Sequence, residues 1–238
     1  MATAAAADKP SVWEDFVDIF VSPAEVFARR ADNGFGIALL VLAIVITILA
    51  IGTKSLMQPV FDAEFARRMA HAAQTNPQLT PDRIAAAKKY AGVGIYVAGI
   101  MLAIRVVVVG IVLWFVGKLF DSRMSLNSAF VVATYSYFPL IIGLVVSAII
   151  AFFLDPASIT GVYSVSVGLG RFFDPATTSP ALLAVLGRVD FFILWITALL
   201  GVGTYVVGKV TKGQAAVVAV LMWVIGTIFP LLGALRQG

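Results

Sequence analysis

Five stretches of this chain are free or nearly free of charge: residues 34–57, 91–117, 128–154, 190–208 and 213–235. A lipid core of ~30 Å takes ~20 apolar residues in a helix, and within it every backbone N–H and C=O has to be satisfied by the segment itself. The expected fold is therefore all-α, a polytopic membrane protein with five transmembrane helices. Composition agrees: of 238 residues, 61% are hydrophobic and 13% charged, too little charge to cover a soluble domain. Residues 1–33 are expected to form an N-terminal tail with interfacial helices, and 34–238 the five-span membrane domain.

Ahead of the first span, SVWEDFVDIF reads as an amphipathic helix, with Ser11 and Glu14 in a capping-box pattern. Trp13, Phe16, Val17 and Phe20 fall on one face, and Glu14, Asp15 and Asp18 lie elsewhere. Trp13, Phe16 and Phe20 are the candidate anchors in the membrane interface. SPAEVFARR begins a second helix, with Ser22 as cap, Pro23 at its first position and Glu25 following. The N-terminus has no signal-peptide pattern, so no leader is expected to be removed.

Between spans one and two, the polar, alanine-rich residues 58–90 predict a helical extramembrane hairpin. Its first helix should start at Pro59, and its second at Thr80-Pro81, running into span two. Between spans three and four, FFLDPAS and FFDPATT place Asp155 and Asp174 before prolines, as turn and cap residues. Residues 162–170 are apolar but too short to span and are expected at the interface.

Several chemistries are excluded. The chain has no cysteine and a single histidine, His71, and no span holds an aspartate, glutamate or histidine in its interior. Without a base, the hydroxyls of TYSYF are weak nucleophiles. No enzyme, cofactor or metal site is expected. The net charge of +4 lies in short clusters at span ends, which fits membrane topology and not nucleic-acid binding. The two shortest loops, 118–123 and 209–212, are basic, and Arg29-Arg30 precedes span one, so a cytoplasmic N-terminus is expected.

Arg105 is the exception to the apolar pattern, with fourteen uncharged residues before it and twelve after. The fifteen Ile, Leu, Val and Phe residues of 91–117 contribute about −4.5 to −9 kcal/mol on an insertion scale, against about +2.5 to +3.5 for a central arginine. Insertion therefore tolerates Arg105 without explaining it. Pro139 of span three falls at the same depth, and its missing N–H should leave the Tyr135 carbonyl without a donor. One expectation is a polar knot in which Arg105 satisfies that carbonyl and the hydroxyls of Tyr135, Ser136 or Tyr137. The other is that Arg105 lines a wet cavity and binds an anionic ligand or lipid headgroup. Small pairs such as Gly94 with Ala98 and Gly99 with Ala103, and Gly226 with Gly233, allow close helix packing, inside the fold or with another chain.

The lead-in WEDFVDIFVSPAEVF, ATYSYFPLIIG in span three, and the run from RVDFFILWITALLGVG through GKVTKGQAAVVAVLMW resemble the Yip1 domain family, particularly its bacterial members. The resemblance implies a five-helix protein of the bacterial inner membrane, with a cytoplasmic N-terminus and the C-terminus on the far side. It implies a non-enzymatic organising or adaptor role, among membrane lipids, as a homo-oligomer or with another membrane protein. Eukaryotic relatives act in secretory traffic and associate with Rab GTPases. This chain lacks their Asp-Leu-x-Gly-Pro motif and long N-terminal region, which argues against GTPase binding. The alternative role is a small transporter, channel, accessory subunit or lipid-handling protein that uses Arg105.

Overall fold

A computed structural model describes residues 12–75 and 80–235. In chain order the helices are α1 Val12–Val21, α2 Pro23–Arg30, α3 Gly36–Gly52, α4 Lys54–Thr75, α5 Pro81–Val93, α6 Ala98–Lys118, α7 Leu126–Ser136, α8 Pro139–Phe153, α9 Pro180–Leu186, α10 Phe191–Gly208 and α11 Lys212–Leu235. Among the described residues there is no strand.

Among the described residues, four helical segments are long and apolar enough to cross a membrane: Pro81–Lys118, Leu126–Phe153, Phe191–Gly208 and Lys212–Leu235. A fifth is reached only if α3 and α4, bent by 82°, count as one span. The first expected span is corrected accordingly. Its helix ends at Gly52, where the Thr53 backbone N–H and hydroxyl both donate to the Leu49 carbonyl. Lys54 to Met57 belong to α4. At roughly 1.5 Å per residue, the 17 residues of α3 reach about 25 Å.

Where a hairpin was expected, α4 starts at Lys54 and carries Pro59 in its interior, and α5 starts at Pro81. Lys88 Nζ meets Asp62 at 2.9 Å and ties the two helices together. Thr80 caps α5, its hydroxyl accepting from the Arg83 N–H. A 3-10 turn, Gly94–Val97, joins α5 to α6. Asp155 and Asp174 cap their turns as expected, accepting from the Ala157 and Ala176 amides. The cap at Ser11 lies outside the described residues, and Ser22 caps α2 without a side-chain bond.

Small residues are consumed inside the bundle. A Cβ on Gly99 would lie 2.1 Å from the Ala43 carbonyl oxygen, and one on Gly203 2.4 Å from Val132. The Gly99 N–H donates to Thr47 Oγ1 at 3.1 Å, so α3 and α6 meet backbone to side chain.

The N-terminal helices overturn the expected polarity of α1. Asp15, placed by periodicity on a solvated face, is fully buried. Its carboxylate accepts from Arg29 Nε at 2.7 Å, from Arg30 Nε at 2.5 Å and from the Tyr135 hydroxyl at 3.0 Å. Arg29 also meets Asp18 at 2.5 Å. Asp15 and Asp18 are thus paired within the α1–α2 hairpin, which allows the side that carries Asp15 to pack on apolar helices. Phe16 stacks on Phe138 with centroids 4.7 Å apart, and Phe20 meets Trp195 edge-on at 5.6 Å. Of the three expected anchors only Trp13 is exposed, at 70%, in an outward apolar stripe with Val17 and Val21. Phe16 and Phe20 are turned into the bundle because Asp15 and Ile19 share that side of the helix.

Candidate functional site

Helix α7 ends at Ser136 and α8 restarts at Pro139, so the third span is broken where Pro139 withholds its N–H. The break is closed by tighter turns: the Phe138 N–H donates to the Tyr135 carbonyl at 3.3 Å and the Leu140 N–H to Tyr137 at 3.1 Å. The Tyr135 carbonyl is therefore not the open acceptor that Arg105 was expected to satisfy.

The five expected site residues separate. The Tyr135 hydroxyl points to Asp15, in the N-terminal cluster. Ser136 is buried, and its Oγ has no hydrogen-bond partner among the described residues. Pro139 is buried at the first position of α8. Only Tyr137 meets Arg105, whose guanidinium carbon lies 5.5 Å from the ring centroid, within the range of a cation–π contact.

Arg105 and Tyr137 line a cavity of about 410 Å³ walled by α6, α10 and α11. A second arginine, Arg188, enters from the turn between α9 and α10. Its Nε donates to Thr227 Oγ1 at 3.3 Å, and its carbonyl accepts from Trp223 Nε1 at 3.0 Å, so two residues of α11 hold it. A Cβ at Gly226 would lie 2.8 Å from an Arg188 terminal nitrogen, so the missing side chain makes the room. Pro230, also at the cavity, has no N–H and leaves the Gly226 carbonyl without its helical donor.

Electrostatically the cavity is one-sided. Burial pushes the Arg188 guanidinium below its ordinary pKa, the charge of Arg105 pushes the same way, and Tyr137 opposes them. Arginine nonetheless keeps its proton at any physiological pH. Among the described residues, no carboxylate lines the cavity. Two cations and a phenol around an apolar void can hold an anion by charge-assisted hydrogen bonds.

Sequence reasoning missed Arg188. It lies three residues before α10, where a basic residue reads as an ordinary span-end charge. Its position on the side opposite the basic short loops was the only signal.

Fold and site together define a polytopic all-helical membrane protein with a basic cavity between its helices. The family model of the Yip1 domain matches residues 17–233. The chain belongs to the Yip1 domain family. Searches of curated proteins and of solved structures returned no match.

Proposed function

We propose that this chain is a non-enzymatic membrane protein that holds an anionic ligand between its helices. The observation that carries the reading is the placing of Arg105 and Arg188, with Tyr137 beside them, in one cavity that, among the described residues, no carboxylate lines. Like charges brought together in a poorly solvated site repel, and a bound anion relieves that cost. The role is handling or presenting that ligand within the membrane, in line with the transporter-like or lipid-handling alternative. Lys118, Arg123, Lys209 and Lys212 gather at one end of the bundle, where the Arg123 N–H donates to the Gly208 carbonyl at 2.9 Å. That supports a cytoplasmic placing of this end, and of the N-terminus, in a bacterial inner membrane.

The test is thermal unfolding of the delipidated chain in neutral detergent, with sodium phosphate against sodium chloride at equal ionic strength. Phosphate should stabilise the wild type by mass action and leave R105Q and R188Q unchanged. Equal stabilisation of all three chains would remove the reading.

An adaptor role through helix packing has its own support. Gly94 and Gly233 meet nothing within 4 Å and remain free to receive another helix, as a homo-oligomer or with a different membrane protein. Cross-linking through cysteines placed at these two positions would detect it.

A further inference from the structure

The cavity has a polar end and an apolar end, and their depths can be counted along the helices. Lys118, Gly208 and Lys212 mark one end of the bundle: Gly117 and Gly208 both pack against Ser122, and the next turn begins at Lys212. At roughly 1.5 Å per residue, Arg105 and Gly226, against which Arg188 lies, are about 20 Å from that end. Val112, Leu200 and Met222 line the same cavity only about 9–15 Å from it. The charges therefore stand nearer the Arg188 end, with Phe229 and Pro230 beyond them, and the floor beneath them, toward the middle of the bundle, is mostly aliphatic, with Thr197 among it.

The volume points the same way. At about 410 Å³ the cavity exceeds the ~30 Å³ share of one liquid water by more than about tenfold, far more than a small anion needs. The lining residues exposed at the surface include Val108 on α6, at 47%. Arg105 itself is exposed there, and Phe229 on the α11 side is 75% exposed.

Resting on the anion-binding reading, we infer that the occupant is an amphiphile of the anionic phospholipid class, with a net negative headgroup that the zwitterionic phosphatidylcholine lacks. Its phosphate sits between Arg105 and Arg188, and one acyl chain lies down along Val112, Leu200 and Met222. It enters sideways from the leaflet at the Arg188 end. Phosphate matches two guanidiniums with paired N–H donors, and an acyl chain matches a floor that is mostly aliphatic, where the Thr197 hydroxyl is already spent on the Ile193 carbonyl. A free phosphate would satisfy the arginines and leave the floor empty.

The experiment uses the full chain in lipid nanodiscs with a phosphatidic acid probe carrying a diazirine at mid-acyl chain. After illumination, the labelled residues are mapped by mass spectrometry. Labelling is expected at Val112, Leu200 or Met222, reduced at least tenfold in R105Q and R188Q and unaffected by excess phosphatidylcholine. M222W, which fills the floor, should abolish labelling while phosphate stabilisation in detergent persists. That variant keeps the test open if an arginine substitution fails to fold. Phosphate stabilisation without labelling on the floor, or labelling unchanged in M222W, overturns the amphiphile and leaves the anion reading standing. Absence of both arginine-dependent effects overturns both.

Discussion

Substitution of Asp15 by alanine should free the N-terminal helices from the bundle. The carboxylate is fully buried and accepts from two guanidiniums and one phenol. Removing one partner of a buried ion pair costs about 3–5 kcal/mol, because the other charge is left stranded. Here the stranded arginines retain 22% and 18% exposure, and Arg29 keeps Asp18. The low end, about 3 kcal/mol, is therefore expected. At about 1.4 kcal/mol per decade, D15A should raise the undocked population of α1–α2 by roughly 100-fold. The chain has no cysteine, so a single reporter at Ile19, which is fully buried, can be read by maleimide labelling without background. The I19C background is common to both arms, so its own cost cancels. A rate in D15A/I19C within about threefold of I19C alone would refute the idea that the buried carboxylate holds the hairpin down. Y135F removes one neutral donor to a carboxylate, worth about 1.5–3 kcal/mol, and should give a smaller rise in the same assay.

Gly99→Val drives a side chain into the Ala43 carbonyl, which cannot move aside, and should cost at least about 1–3 kcal/mol in thermal unfolding. Gly94→Val, in open space, is the control and should be near neutral. Gly226→Val should displace the Arg188 guanidinium and weaken phosphate stabilisation, whereas Gly233→Val should not. Burial works to raise the Glu64 pKa, but the hydrogen bonds and charges of Arg68 and Arg67 outweigh it and hold the carboxyl below its ordinary value. A depressed pKa contributes stability that is present at neutral pH and lost as pH falls below about 4, through the folded value. The protection factor of the Val162 amide, which donates to Glu64, should fall in that window in the wild type and show no such step in E64Q.

The helices were legible because their signals are local. Span four was expected at 190–208 and is found at Phe191–Gly208, and span five, expected from 213, begins one residue earlier at Lys212. Their charged or turn-forming borders lie in the sequence itself. The break at Pro139 was legible for the same reason, since a missing N–H acts within four residues. The bend after Gly52 was not, because Thr53, Lys54 and Ser55 are polar without being helix breakers, and nothing in residues 53–57 forbids a straight helix. Helix α9 was passed over: seven residues are too few for periodicity to register, although Ser179 caps it by accepting from the Leu182 N–H.

The polar residues show where local reasoning ends. Arg105 was conspicuous by its surroundings, and of the group proposed around it Tyr137 is its neighbour. Tyr135 instead belongs with Asp15, at the other end of the described chain, and Arg188 joins Arg105 only when α9 folds back onto α11. By itself the sequence determined that this chain forms apolar helices in lipid, because in hydrocarbon each backbone group has to be satisfied within a few residues of itself. Which charges meet was decided by the tertiary structure alone. A carboxylate or guanidinium reaches whatever the packing of distant helices places beside it, and that packing put Asp15 among arginines and brought Arg105 and Arg188 to one cavity.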